Sequence, residues 1–73
     1  MEKSAEELVF IVEEAPEGGY IAKALGVSII TEADNLEMLR SQVLDAVRCH
    51  FAEEKLRPGI IRLHMVKDEV LTS

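Results

Sequence analysis

Apolar residues are distributed in strand-like patterns along four short segments of the chain and follow a helical spacing along one long segment. Segments 8–12 and 27–31 are rich in β-branched residues, segment 20–24 has an extended pattern, and turn residues separate the three, so each predicts a β-strand. Three strands with tight connections predict an antiparallel meander. Segment 60–66 alternates after its first residue and predicts a fourth, half-buried strand. Its two faces carry Ile61, Leu63 and Met65 on one side and Arg62 and His64 on the other.

Residues 35–55 carry the helical spacing. Asp34 precedes this segment and Glu37 follows three residues later, which predicts an N-cap with a carboxylate variant of the capping box. Pro58 and Gly59 prevent the helix from continuing. Apolar residues at spacings of three and four predict the face that packs on the sheet; they are Leu36, Leu39, Val43, Ala46, Val47 and His50, with Leu44 and Phe51 widening the stripe.

This order of elements, β-β-β-α-β, predicts an α+β fold in which one helix covers one face of a small sheet. At 73 residues the chain forms a single domain, residues 1–73, and we expect residues 1–7 to be a flexible N-terminal segment. The first strand is apolar on both sides, because Val9 and Ile11 alternate with Leu8, Phe10 and Val12. Something other than the helix should cover the second face, and a second copy of the chain is the simplest candidate. We therefore expect a homo-oligomer.

Charge is unevenly distributed along the chain. The formal net charge is −6, and residues 1–37 hold nine acids against two bases, whereas residues 38–73 hold six bases against five acids. Nucleic-acid binding requires clustered Lys and Arg, so direct binding of nucleic acid is disfavoured. The acidic first half is suited to a basic partner protein, or it is a solvated surface that maintains solubility.

Cysteine content and hydropathy bear on the compartment. Cys49 is the single cysteine and cannot form an internal disulfide, which fits a reducing environment. No apolar stretch approaches the roughly 20 residues that cross a bilayer, and the N-terminal residues do not have the pattern of a signal peptide. We expect a cytoplasmic protein that does not associate with membranes.

No pattern of catalytic, cofactor-binding or metal-binding type is present in the sequence. His50 lies on the apolar side of the helix and is predicted to be a core residue, while Cys49 falls nearer the polar side. The two side chains point about 100° apart, which is unfavourable for ligation of one metal ion. The acid pairs at 13–14 and 53–54 diverge in space, so they do not predict a paired-carboxylate active site. We therefore predict no enzymatic activity and no cofactor.

Five residues are candidates for contact with a partner protein. Val9 and Ile11 share one face of the first strand, although the sequence leaves open which of its two faces receives the helix, and Arg62 and His64 lie on the outward face of the fourth strand. Tyr20 combines apolar area with a polar tip, as interface anchors do, and the alternative role for it is packing in the core. For Arg62 and His64 the alternative is a solvated strand face.

Two short motifs give the chain a resemblance to a known family. A strand leads through acidic turn residues to Gly18-Gly19-Tyr20, and Asp34-Asn35-Leu36-Glu37 later opens a helix that contains the small residue Ala46. Over residues 8–51 the chain in this way resembles the HicB-like antitoxins. The resemblance implies the β-β-β-α-β order and a partial ribonuclease-H-like fold. It also implies a binding module whose better-known relatives sequester a small basic ribonuclease toxin.

The first functional hypothesis is thus a HicB-like protein-interaction module, antitoxin-like in kind, that binds a small basic partner. After the fourth strand the 73 residues leave no room for a DNA-binding segment, so we expect a divergent, stand-alone member. The alternative is a stand-alone homo-oligomeric protein that shares only the fold of the antitoxins.

Overall fold

The structure, a computed structural model, describes residues 6–67 and 71–72. The order β-β-β-α-β is confirmed. The elements are β1 (Glu7–Glu14), β2 (Tyr20–Ala24), β3 (Ile30–Ala33), α1 (Leu36–His50), a 3₁₀ turn (Glu54–Leu56) and β4 (Ile60–Met65).

All four strands form one mixed sheet in the order β3-β2-β1-β4. The meander of β1, β2 and β3 is antiparallel, as predicted. The fourth strand lies parallel to β1, on the side away from β2, with Glu7 beside Ile60 and Val12 beside Met65. The strand that starts the fold is therefore central, and the strand that ends it lies at the edge.

Helix α1 packs on one face of this sheet and encloses the core. The fully buried side chains with the largest volumes are Phe10 and Val12 from β1 and Leu39 and Val43 from α1. Leu8, Ala22, Ile29 and Val47 complete the buried cluster. Each fully buried side chain of this size contributes about 1.5–3 kcal/mol relative to an exposed one, so this layer is the main source of stability. The helix comes closest to β2 and β3.

Both ends of the helix differ from the prediction. Asn35, not Asp34, is the N-cap, because its Oδ1 accepts a hydrogen bond of 2.8 Å from the backbone N–H of Met38. The helix ends at His50 rather than near residue 55. The Arg57 guanidinium explains this early end, since it donates hydrogen bonds to the carbonyl oxygens of Phe51 (2.8 Å) and Ala52 (3.3 Å) and holds the chain after the helix folded back.

Predicted helix positions also need correction. Leu44, predicted to widen the buried stripe, is 44% exposed, because the helix lies towards β2 and β3 and leaves this side uncovered. His50, predicted to be a core residue, is exposed and meets the Phe51 ring edge-on with 4.8 Å between ring centroids. The buried stripe runs through Leu39, Val43 and Val47 at a spacing of four. The next position on that stripe is Phe51, which packs against the core, so His50 faces away.

Strand boundaries differ most at β3. The prediction placed this strand at residues 27–31, but it begins at Ile30. The amide of Ile29 bonds the carbonyl of Val27 at 3.1 Å, and the Ala24 amide bonds the carbonyl of Ile29 at 3.0 Å, so residues 27–29 form a tight link. β1 is longer than predicted.

The chain termini are only partly described. Glu7, assigned by the sequence to a flexible N-terminal segment of residues 1–7, is the first residue of β1; residues 1–5 of that prediction lie outside the described residues. The single α-helix of the described chain has 15 residues and is not long and apolar enough to cross a membrane.

A candidate protein interface on the open sheet face and its acidic end

The face of the sheet opposite α1 carries four of the five candidate interface residues. Leu8, Phe10 and Val12 point towards the helix, so Val9 and Ile11, which alternate with them, point to the other side. Arg62 pairs with Val9, and His64 pairs with Ile11. We call this surface the open face; it carries Val9, Ile11, Glu13, Ile21, Lys23, Ile30, Glu32, Arg62 and His64.

Strand register arranges the open face in rows that run across the strands. One row passes from Ile30 through Lys23 and Ile11 to His64. Ile11 is half-buried at its centre, and Ile30 is 66% exposed at its end. Isoleucine side chains therefore lie on this face without an α-helix of the described chain to cover them.

The next row carries the acids. Ile21 lies between Glu13 of β1 and Glu32 of β3, so two carboxylates flank one apolar side chain. Cross-strand neighbours on one face have Cβ atoms about 4.5–5.5 Å apart, which makes this row a compact unit with negative charge on both sides.

Further acids gather at the same end of the sheet. The β1–β2 turn and the link from β3 to α1 meet there. We call the carboxylates in these two segments and at the adjoining ends of β1, β3 and α1 the acidic end: Glu13, Glu14, Glu17, Glu32, Asp34 and Glu37. All six residues are exposed, and within the described residues none of them forms an ion pair. Their negative charge is available to a partner.

A shallow depression of about 360 Å³ opens at the acidic end. Glu17, Glu32 and Asp34 line it together with Tyr20 and Met38. Tyr20 is half-buried and packs against the core cluster on the helix side, so the structure does not place it with the other four candidates on the open face. It forms part of the wall between the core and the depression. A depression with carboxylates at its rim and apolar groups in its wall can accept a long basic side chain.

The two sequence motifs lie in contact at this end. A Cβ on Gly19 would be 2.7 Å from the carbonyl oxygen of Ala33 and 3.5 Å from the Cα of Asp34. Gly18 and Gly19 both have positive φ, at 107° and 84°. The glycine pair therefore lets the turn lie directly against the start of the helix segment, and this contact forms the depression.

Arg62 is also tied to its own chain. Its Nε and the Glu7 carboxylate form an ion pair across β4 and β1. The Arg62 side chain is 62% exposed, so this exposed pair contributes little stability and leaves the guanidinium accessible.

Groups that could bind a metal ion or react as a thiol are few among the described residues. Among residues 6–67 and 71–72, no three His, Cys, Asp or Glu side chains lie close enough to hold a metal ion. Cys49 is exposed, as the helical pattern predicted.

Sequence reasoning missed part of this surface. Ile21, Ile30, Glu13 and Glu32 belong to the open face, and the alternation within each strand was the signal for their side. Which of them are neighbours depends on the register between strands, which alternation alone does not supply.

These features define a class: a small α+β domain with one helix on one face of a mixed sheet and an open, acid-bordered opposite face. A protein of Archaeoglobus fulgidus named UPF0150 protein is 55% identical over 53 residues, which span 73% of this chain and 77% of that protein. A Thermotoga maritima protein of the same name is 41% identical over 66 residues, spanning 90% and 91% of the two chains. The chain belongs to the UPF0150 family. No family model and no solved structure matches it.

Proposed function

We propose that this protein is a HicB-like, antitoxin-like interaction module that binds a small basic partner protein through its open face and acidic end. The observation that carries the proposal is the continuity of an uncovered apolar strip with six carboxylates that have no ion-pair partner among the described residues.

The layout of the open face supports protein binding. Protein interfaces commonly have an apolar centre and a polar rim. Here Val9, Ile11 and Ile21 occupy the centre and are half-buried, whereas Glu13 and Glu32 border Ile21 on both sides. A partner that covers this surface would remove the apolar side chains from water and meet the carboxylates at the border.

Charge supports a basic partner in particular. Within residues 6–37, Lys23 is the single base, and the register places it in the row beside Ile21, away from the turn that carries Glu17. Carboxylates concentrated at one end attract a basic protein over about one Debye length, near 8–10 Å at physiological salt, and accelerate its association. The depression lined by Glu17, Glu32 and Asp34 would receive an Arg or Lys of that partner.

Family resemblance supports the antitoxin-like role. The motif residues that resemble those of HicB-like antitoxins, Gly18-Gly19-Tyr20 and Asp34-Asn35-Leu36-Glu37, lie at the same end of the sheet, and Asp34 and Glu37 belong to the acidic end. The proposed role requires the protein to occupy its partner's surface and requires no catalysis.

The test begins with a tagged pull-down from native extract, with bound proteins identified by mass spectrometry. We expect a small basic companion at about one-to-one stoichiometry. The purified companion is then titrated into the wild type and into the double variant Glu13→Lys/Glu32→Lys. We expect that variant to bind at least about tenfold more weakly, because two attractive charges become repulsive.

A matched control separates specific recognition from net charge. Glu53→Lys/Glu54→Lys makes the same charge change at exposed positions beyond the far end of α1. We expect it to bind within about threefold of the wild type in physiological salt, where distant charges are screened. Recovery of only the chain itself from the extract, or equal losses in both double variants, would refute the proposal.

A further inference from the structure

The outer edge of β4 has a hydrogen-bonding pattern that can pair with itself. The amide of Ile60 donates to the carbonyl of Glu6 at 3.2 Å, and the amide of Val66 donates to the carbonyl of Val12 at 2.8 Å. Even-numbered residues of β4 therefore direct their backbone groups towards β1. Because these directions alternate along a strand, the N–H and C=O groups of Ile61, Leu63 and Met65 point to the outer edge. No strand of the described chain pairs there.

An apolar groove adjoins the same edge on the helix side. Ile61 and Leu63 line it with Val43, Leu44 and Arg40 of α1, and its volume is about 380 Å³. Leu44 is 44% exposed, and Met65, on the same side of β4 by alternation, is 50% exposed. One strip of the molecule therefore combines unpaired backbone groups with uncovered apolar side chains, the combination that favours pairing with another strand.

We propose that two copies of this chain form a dimer by antiparallel pairing of their β4 strands about a twofold axis, with Leu63 facing Leu63 of the second copy. A twofold axis perpendicular to the sheet keeps the helix side of one copy on the helix side of the other. In this register Ile61 faces Met65, Leu63 faces its own equivalent, and all three outward-pointing residues exchange backbone hydrogen bonds. The two grooves then adjoin, and each covers part of the other.

Alternative registers and edges are less favourable. Centring the pair on Arg62 would place two guanidinium groups opposite each other and leave Met65 without a facing residue in β4. Pairing through β3, the other edge, would offer only four residues and bring Glu32 and Asp34 near their own equivalents. Like charges opposite each other destabilise a strand pair.

Charge also favours a second copy as the occupant of this edge. The acidic end lies where β1 ends, which is the Met65 end of β4. Antiparallel pairing turns the two acidic ends in opposite directions. Each acidic end is then directed towards the end of the other copy where residues 53–57 lead into β4, a segment in which Lys55 and Arg57 balance Glu53 and Glu54. A chain of net charge −6 can associate with itself in this way without bringing its six clustered carboxylates together.

Disulfide trapping tests the register. In a Cys49→Ser background, Leu63→Cys should form a disulfide-linked dimer under mild oxidation, because facing hydrogen-bonded residues have Cα atoms about 5.5 Å apart and disulfides span about 4.4–6.8 Å. Ile30→Cys lies on the opposite edge strand, so it should form no disulfide and should migrate as a single chain on non-reducing denaturing gels. Cross-linking of Arg62→Cys or Ile30→Cys in place of Leu63→Cys would overturn the proposal.

Solution mass tests the interface without relying on a cysteine. Sedimentation equilibrium of the full chain at about 100 µM should give twice the 8.1 kDa of one copy. Met65→Lys should return the mass to that of one copy, since it places a charge opposite Ile61 of the second copy, whereas the matched variant Ile30→Lys should stay dimeric. A monomeric wild type, or a dimer unaffected by Met65→Lys, would overturn the proposal. The dimer leaves the acidic end free, so its failure and the failure of partner binding are separate outcomes.

Discussion

Replacing Gly19 by alanine should destabilise the fold more than any other Gly→Ala change in the β1–β2 turn. Gly18 and Gly19 both have positive φ, so alanine is strained at either position. At Gly18 an added Cβ meets nothing within 4 Å, but at Gly19 it lies 2.7 Å from the carbonyl oxygen of Ala33. That oxygen belongs to backbone that pairs with β2, so it cannot move without disturbing the sheet.

The expected losses of stability follow from the positive φ at both positions and from the close contact at Gly19. Positive φ costs an L-residue about 1–2 kcal/mol, which sets the loss for Gly18→Ala. At Gly19 the backbone clash adds to this, and we expect a total of about 3 kcal/mol or more. A chain of this length has a free energy of unfolding of roughly 4–11 kcal/mol, so the larger loss removes a substantial part of it. At about 5 °C per kcal/mol, the melting temperature should fall by about 15 °C.

Urea denaturation followed by circular dichroism, at one protein concentration, measures these differences. Gly59→Ala is the matched control, because its added Cβ meets nothing within 4 Å and its φ is not positive. We expect it to change the free energy of unfolding by less than about 0.5 kcal/mol. If Gly19→Ala were no more destabilising than Gly18→Ala, the close approach of the turn to Ala33 would be refuted.

Three further predictions concern single contacts, each measured by the same denaturation. Asn35→Ala should cost about 1 kcal/mol by removing the helix N-cap, and Asp34→Ala about half as much; the reverse order would contradict the capping assignment. Thr31→Val should raise the free energy of unfolding by about 1 kcal/mol, because the buried Oγ1 has no hydrogen-bond partner among the described residues. A lower free energy of unfolding would mean that the hydroxyl has a hydrogen-bond partner. Glu7→Gln should cost less than about 1 kcal/mol in low salt and nothing measurable in 1 M salt, and a larger, salt-independent loss would show that the pair with Arg62 is not a solvent-screened contact.

Periodicity predicted the faces of the elements because a side chain's direction is fixed by its position in the repeat. The alternation of β4 assigned Ile61 and Leu63 to the core side, and both pack against the core cluster. Positions at which two local structures compete were harder to predict. Asp34 and Asn35 are both good caps, and the capping residue was decided by where the chain leaves β3. Residues 27–29 are β-branched enough for a strand, but local hydrogen bonds form a tight link there.

The candidate site was only partly visible in the sequence because it depends on neighbours between strands. The excess of acids in the first half was plain from composition, but their convergence at one end of the sheet requires the register of Glu13, Ile21 and Glu32. The groove beside β4 depends on two further facts that periodicity does not contain. One is the parallel pairing of β4 with β1, and the other is the displacement of α1 towards β2 and β3.

The central position of β1 has a consequence for the order in which the chain acquires its structure. The meander and the helix are local and can form from the first fifty or so residues, whereas β4 must close a long loop before it reaches β1. Until then the edge of β1 that later pairs with β4 has no neighbouring strand, and the apolar Val9 and Ile11 of β1 are exposed next to it. We therefore expect β4 to join after the folding transition state, so that substitutions in it accelerate unfolding and scarcely slow folding. Until residues 60–65 are made, a nascent chain would carry β1 with one edge unpaired and open to non-native strand pairing.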